Sequence, residues 1–332
     1  MSNGPAQGRT AATGPETKGL SPLVTIPAGD FLMGSDNFYP EESPVRKVHV
    51  DAFRIERSPV SNARFAAFVE ATGYVTVAER PLPADLFPQM DERERSPGSM
   101  VFRPTPGPVD LRHLSQWWAW TPGACWHRPT GPGSHIRKRG DHPVVHIAYE
   151  DALTYAAWAG RDLPTEAQWE RAARGHHEGA DFCWGNEKTP GGKRMAKHYE
   201  GAFPYANTPS DGHKGSAPVG SYPANDFGLF DMAGNVWEWT TDWYSEASPV
   251  DPAADETDTK ACCVPSNPRG GTEAGSLDPN QPQFAIPRKV IKGGSYLCAD
   301  EYCMRYRPAA RRPQMIDTGM SHIGFRCIAP AQ

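Results

Sequence analysis

With 32 glycines and 34 prolines among 332 residues, this chain meets a helix breaker or turn former about once every five positions. Long regular helices cannot dominate such a sequence, so turns and loops must carry much of the fold. Hydrophobic residues make up only 38% and mean hydropathy is −0.60. Buried area therefore has to come from large side chains, which the ten tryptophans and 10% aromatic content supply, arguing against disorder. The length allows about two ordinary domains or one large irregular one.

Charge narrows the function classes. Thirty-four basic against 39 acidic side chains leave a net charge of −5, with both signs spread along the chain. No basic footprint for nucleic acid results, and Asp91-Glu92-Arg93-Glu94-Arg95 reads as a solvated face. No apolar run approaches membrane-spanning length. Residues 1–20 are small and polar with no hydrophobic signal core, so we expect a disordered tail and a reducing, cytoplasmic setting. Seven cysteines, unevenly scattered, do not make a disulfide framework.

In chain order, Val24 to Gly34 reads as two short strands around a Pro/Gly turn, and Val45 to Ile55 as another. Ser61 caps a helix running to about Ala71, stopped by Gly73. Pro81 to Gly140 is rich in Pro, Gly and Trp without periodicity, which makes it a functional loop or a tryptophan plug for the core. His142 to Ile147 suits a buried strand. Helices follow from Tyr149 to Ala159 and from Thr165, where Thr165-Glu166-Ala167-Gln168 is a capping box. Two oxygen-rich places come next, Asn207 to His213 and Asp231 to Trp239. The second could wrap Ca²⁺, but the residues alone favour an Asp/Asn turn leading into a Trp-rich strand. Cys262 and Cys263 receive no role. Gly324 to Ile328 reads as a final strand with Cys327 as a small core residue.

One stretch concentrates chemistry. Lys292-Gly293-Gly294-Ser295-Tyr296-Leu297-Cys298-Ala299-Asp300-Glu301-Tyr302-Cys303-Met304-Arg305-Tyr306-Arg307 places two thiols five residues apart, with a hydroxyl just before them. Its glycines and polar aromatics fit neither a helix stripe nor a strand alternation, so it reads as irregular backbone that displays side chains. Two converging thiols can form an ordinary disulfide, stay buried and inert, bind a soft metal, or act as nucleophile and resolving partner.

These residues, continued by Ala309-Ala310-Arg311 and Gly324-Phe325-Arg326-Cys327, resemble the C-terminal active-site region of the formylglycine-generating enzymes, or sulfatase-modifying factors. Ile26-Pro27-Ala28-Gly29 with Met33-Gly34, Leu163 to Glu170, and Gly234-Asn235-Val236-Trp237-Glu238-Trp239 agree, so the likeness runs from about Leu23 to Ile328. The Trp117-Trp118 and Gly123 to Ser134 segment and the Cys298/Cys303 pair resemble the true enzymes rather than relatives that share only the fold.

The resemblance implies a single domain over residues 21–332 with an irregular α/β, C-type-lectin-like fold of low regular content. It implies oxidation of one cysteine, in a Cys-x-Pro-x-Arg context of an unfolded sulfatase, to Cα-formylglycine. O₂ is the implied oxidant and Cu(I) the implied metal, held by Cys298 and Cys303 with the substrate thiolate joining them. Soft thiolates select Cu(I) over harder ions. Ser295 would stand beside the oxygen, and hydrogen loss from the substrate's β-carbon would leave a thioaldehyde for water to hydrolyse. Trp237, Tyr302, Arg307, Trp117 and Trp118 would bind substrate. One Ca²⁺ site maps onto Asp231, Gly234, Val236 and Glu238, the middle two through backbone carbonyls. A second maps onto Lys197, His198, Asp211 and His213, but Lys197 stands where an oxygen ligand is expected and an ammonium cannot coordinate. Ala173 and Pro308 replace disulfide cysteines of secreted members, and Ala299 replaces a histidine found in some members. A monomer is expected. Two other readings stay open: a metal-free thiol redox protein, and a calcium-dependent lectin-like binding module on the same fold.

Overall fold

The computed structural model describes residues 19–246 and 264–331. The expected tail lies almost wholly, and Cys262 and Cys263 wholly, outside the described residues. The chain opens on β1 (Leu23–Ile26), β2 (Gly29–Met33), β3 (Arg46–Val50) and β4 (Phe53–Glu56). Where one strand was expected between Val45 and Ile55 there are two. Asp51 and Ala52 interrupt the run, so that β3 pairs with β2 and β4 with β1.

α1 (Asn62–Thr72) starts where Ser61 Oγ accepts the Arg64 N–H at 3.5 Å and ends where Gly73 takes φ 68°. That left-handed residue closes the helix at little steric cost only because it is glycine. β5 (Gly98–Phe102) and β6 (Trp118–Pro122) pair antiparallel within the segment expected to lack regular elements. A glycine start and a bulky Trp-Ala-Trp partner hide the alternation, and the strands exist through their pairing rather than through local propensity. His142–Ile147, expected as a strand, is buried but irregular. Pro143 has no N–H to give, and His146 sits at φ 63° with its ring held by Ser99 Oγ and the Pro129 carbonyl, each at 2.8 Å.

α2 (Tyr149–Trp158) and α3 (Glu166–Arg174) follow. The expected capping box opens α3: the Gln168 N–H donates to Thr165 Oγ1 at 3.1 Å, and the Thr165 N–H donates back to Gln168 Oε1 at 2.9 Å. β7 (Trp237–Trp243), β8 (Arg288–Lys292), β9 (Arg311–Met315) and β10 (Ile323–Gly324) form a sheet in the order β10-β7-β8-β9, parallel only at the β10–β7 edge. β11 (Ile328–Pro330) returns to β4, so one sheet, β1-β4-β11, joins the two ends of the chain. The expected strand at Gly324–Ile328 is thus divided between two sheets. No described helix is long and apolar enough to cross a membrane.

Charged side chains inside the core position the thiol stretch. Lys292, at the end of β8, donates to Glu170 Oε2 at 2.9 Å and to the Ala309 carbonyl at 3.1 Å. Arg311, at the start of β9, holds both oxygens of Glu166 at 2.8 and 3.0 Å. Residues 293–310 therefore leave and re-enter the sheet at two points pinned to the carboxylates of α3. All four charged side chains are essentially buried, and pairing is what makes that burial tolerable.

Candidate active site

Gly293 and Gly294, at φ 93° and 72°, turn the chain out of β8. A Cβ on Gly294 would lie 2.7 Å from the Arg305 carbonyl oxygen and 2.8 Å from Tyr306 N, so only glycine lets the two arms of the loop pass. Tight turns follow. The Cys298 N–H donates to the Ser295 carbonyl at 3.0 Å, and the N–H groups of Tyr302 and Cys303 donate to the Ala299 carbonyl at 3.0 and 2.7 Å. They bring the Cys298 and Cys303 sulfurs to 3.3 Å. A disulfide would need about 2.0 Å, so these are two free, buried thiols.

The two thiols are not equivalent. The hydrogen bond between the two sulfurs, helped by the Arg305 and Arg312 guanidiniums against the cost of burial, lowers Cys303 to about 6. Burial and the neighbouring Cys303 push Cys298 the other way, well above the thiol range. Of the two, Cys303 is the more acidic and the first to lose its proton. Alkylation of Cys303 by iodoacetamide is therefore expected to rise with pH through a midpoint near 6, since the thiolate is the reactive form. Cys298→Ala removes the main cause of the lowering and should shift that midpoint upward. Peptide mapping of protein alkylated over a pH series checks both, and an ordinary midpoint of about 8.5 in the native chain would contradict them.

Trp117, Trp118, Phe203, Trp237, Leu297, Tyr302, Arg312 and His322 surround the pair and Ser295. Tyr302 stacks on Phe203 with centroids 4.6 Å apart and meets Trp117 edge-on at 5.7 Å. Ser295 is fully buried. Its N–H points at Cys298 Sγ (3.4 Å), and its Oγ accepts the Leu297 N–H at 3.2 Å. Ser295 lines the thiol cavity, and no hydrogen bond donated by its hydroxyl is found among the described residues. Of the expected substrate-binding side chains, Trp117, Trp118, Trp237 and Tyr302 line this cavity.

Arg307 does not, and the expectation for it is corrected. It is 0% exposed, forks onto both oxygens of an equally buried Glu42 (2.8 and 2.5 Å), and stacks on Phe38 at 3.7 Å. The guanidiniums that reach the thiols belong to Arg305 and Arg312. Arg305 is fixed by Glu41 at 2.7 Å and by the Tyr39 ring at 3.7 Å. Strand parity in β9 was a usable signal for Arg312, because successive residues point to opposite faces and Arg311 faces α3. No local signal marked Phe203, which lies in a loop nearly a hundred residues earlier.

The donor set fits a soft metal: two sulfurs 3.3 Å apart inside an aromatic wall that contains no carboxylate. The oxygen sites divide. Asp231 Oδ1 is buried without a partner, and burial raises this carboxyl to about 6, as suits a position that a cation would complete. Glu238, the other side-chain ligand expected there, has two donors on Oε2 and one on Oε1. Its carboxylate already accepts Arg326 Nε and Nη2 at 2.6 and 2.7 Å and Trp169 Nε1 at 2.7 Å. At the second mapped site Lys197 Nζ itself sits between Asp211 Oδ1 (2.7 Å) and the His213 carbonyl (2.5 Å), while His198 turns away to stack on Tyr306. A buried ammonium fills that place, so His198, Asp211 and His213 are corrected from calcium ligands to the surroundings of Lys197.

Residues 9–331 match the family described as the sulfatase-modifying factor enzyme 1-like domain. Formylglycine-generating enzyme of Mycobacterium tuberculosis is 54% identical over 310 residues, 93% of this chain and 98% of that protein. That of Thermomonospora curvata is 44% identical, covering 92% and 93%. The structure of PvdO from Pseudomonas aeruginosa superposes with a TM-score of 0.59 at 22% identity, over 98% of this chain and 100% of that one, which speaks for the shared fold alone. The thiol stretch, the irregular α/β architecture and similarity along almost the whole length agree, and the chain belongs to the sulfatase-modifying factor enzyme 1-like family.

Proposed function

We propose that this chain oxidises one cysteine of an unfolded sulfatase polypeptide, in a Cys-x-Pro-x-Arg setting, to Cα-formylglycine, using O₂ and a Cu(I) ion held by Cys298 and Cys303. The observation that carries the reading is the buried thiol pair at 3.3 Å under an aromatic wall. Bound Cu(I) would supply the redox couple through which O₂ acts. The protein supplies the rest. Cys303 enters as a thiolate and Cys298 gives up its proton on metal uptake. Arg305 and Arg312 offset the negative charge that accumulates when a third thiolate arrives. Ser295 offers its hydroxyl proton to an oxygen atom beside the sulfurs. Trp117, Trp118, Phe203 and Tyr302 keep bulk water from the reacting carbon.

A groove of about 420 Å³ lined by Phe102, Tyr199, Tyr205, Tyr296 and Ser321 adjoins this wall, with Phe102 packed on Trp118. Its volume and aromatic lining suit the side chains of a bound peptide. The test is co-production of a sulfatase with this chain or with a Cys298→Ala/Cys303→Ala variant, followed by mass spectrometry of the sulfatase's tryptic peptides. Formylglycine that appears only with the native chain supports the reading. Equal conversion with both refutes it, and conversion that persists under strict copper starvation favours metal-free thiol chemistry.

The same proposal places Ca²⁺ at Asp231, with backbone oxygens of Gly234 and Val236. Burial raises the Asp231 carboxyl from 3.8 to about 6, so without the ion its ionisation opposes folding, and the stability present at low pH is lost as pH rises from about 4 to 6. Calcium should therefore stabilise most above pH 6. EDTA is expected to lower Tm clearly at pH 7.5 and little at pH 5, and Asp231→Asn should abolish the difference. Thermal unfolding with and without Ca²⁺ at the two pH values reads this out.

A further inference from the structure

We propose that Glu79, Cys125 and His127 form a second metal site, separate from the thiol pair, that takes Zn²⁺ or a borderline divalent ion of the same class. His127 Nε2 and Glu79 Oε1 are 3.6 Å apart, and the three donor atoms, Cys125 Sγ included, lie within 4.8 Å of one another. Among the described residues this is the one convergence of three such side chains. A tetrahedral zinc ion with bonds of about 2.0–2.3 Å holds its donors about 3.5 Å apart. The nitrogen and oxygen already meet that spacing, and the sulfur has at most about 1.3 Å to close.

The surroundings arrange the donors for the task. Glu79 ends a single 3₁₀ turn (Val77–Glu79). Its Oε2 is fixed by the Thr76 N–H and hydroxyl at 3.2 and 2.7 Å, leaving Oε1 turned toward His127. Such outer hydrogen bonds orient a ligating carboxylate. Cys125 and Arg128 exchange both backbone hydrogen bonds, at 3.2 and 3.0 Å, which fixes the turn carrying the thiol and the imidazole. Burial and the Glu79 charge raise the Cys125 thiol above its ordinary range, against the N–H groups of His127 and Arg128, which favour the thiolate. A buried thiol beside a carboxylate and a half-buried imidazole is poorly served by protein alone. One thiolate, one carboxylate and one neutral imidazole carry two negative charges, which a divalent ion cancels. Arg128, the cation that acts on both Cys125 and His127, is exposed and screened. Cys–His–Glu is a borderline donor set that suits Zn²⁺ over Cu(I) or Ca²⁺ and leaves a fourth position for water. None of the three residues lines the cavity around Cys298 and Cys303. The ion would instead fasten the 77–79 turn to the segment that carries Trp117 and Trp118 toward that cavity.

The test is an optical titration of the reduced, metal-free full chain with Co²⁺, followed by displacement with Zn²⁺. We expect one equivalent of Co²⁺ to give the intense bands of a tetrahedral site with a thiolate-to-metal charge-transfer absorption. That absorption should vanish in Cys125→Ala and persist in Cys298→Ala/Cys303→Ala. His127→Gln, at a part-exposed position that leaves the core intact, should weaken binding about tenfold or more, since it removes a direct metal bond. Circular dichroism of each variant without metal confirms that it is folded. Absence of a charge-transfer band in the native chain overturns the proposal, as does a band that survives Cys125→Ala or disappears with the Cys298/Cys303 double variant.

Discussion

Cys303→Ala is expected to lower kcat/KM for peptide oxidation by about 10³-fold or more while leaving the fold intact, a loss of at least about 4 kcal/mol in transition-state stabilisation. The size follows from the site. Cys303 is the partner already ionised near neutral pH, so its removal deletes the anionic ligand and leaves Cys298, whose burial disfavours a thiolate, as the one remaining sulfur. Neither Arg305, fixed on Glu41, nor Ser295 can replace a soft donor. The loss should lie in kcat, with substrate binding by the aromatic wall changed much less. Steady-state kinetics over peptide concentration separate the two. A Cys303→Ala protein within tenfold of the native rate would remove the pair from the chemistry. Stability should fall by only about 1 kcal/mol, because the change deletes a single buried atom at the edge of an existing cavity.

Arg307→Met should do the opposite: destabilise the protein by about 3–5 kcal/mol, a fall in Tm of roughly 5–10 °C for a chain of this size, with intact catalytic side chains. Glu42 and Arg307 are both fully buried, and burial already raises the Glu42 carboxyl despite its partner. Without the guanidinium that carboxylate is an uncompensated interior charge. Arg307→Met/Glu42→Gln should therefore recover much of the loss. Thermal unfolding of the single and double variants decides it. If Arg307 instead bound substrate, the single variant would keep its Tm and raise KM.

The contrast between these two residues shows how far sequence could be read. Helix limits at Ser61, Gly73 and Thr165 were legible because caps and breakers act locally. The irregular course of residues 292–307 was legible because glycine and polar aromatics deny it a period. β5 and β6 were not, since those strands exist through pairing across an unpatterned loop. Within the thiol stretch, residue types announced the paired thiols, but a basic side chain looks the same whether it faces a substrate or a buried carboxylate. Arg307, Arg311 and Lys292 became anchors because Glu42, Glu166 and Glu170 meet them from distant positions. Arg305 and Arg312 became the electrostatic neighbours of the thiolate through loop geometry and strand parity. Glu238 and Lys197 repeat the point at the oxygen sites, where partners far along the chain had already taken the charge.

The most direct test of the central claim is a reaction of the purified chain, reduced and loaded with one equivalent of Cu(I), with a short Cys-x-Pro-x-Arg peptide. Mass spectrometry would follow the peptide thiol under air and under argon. The account predicts conversion to the aldehyde or its hydrate that requires both copper and O₂ and is absent from the Cys298→Ala/Cys303→Ala protein. A peptide left unchanged by the copper-loaded native chain under air, or oxidised as well by the double variant, would contradict it.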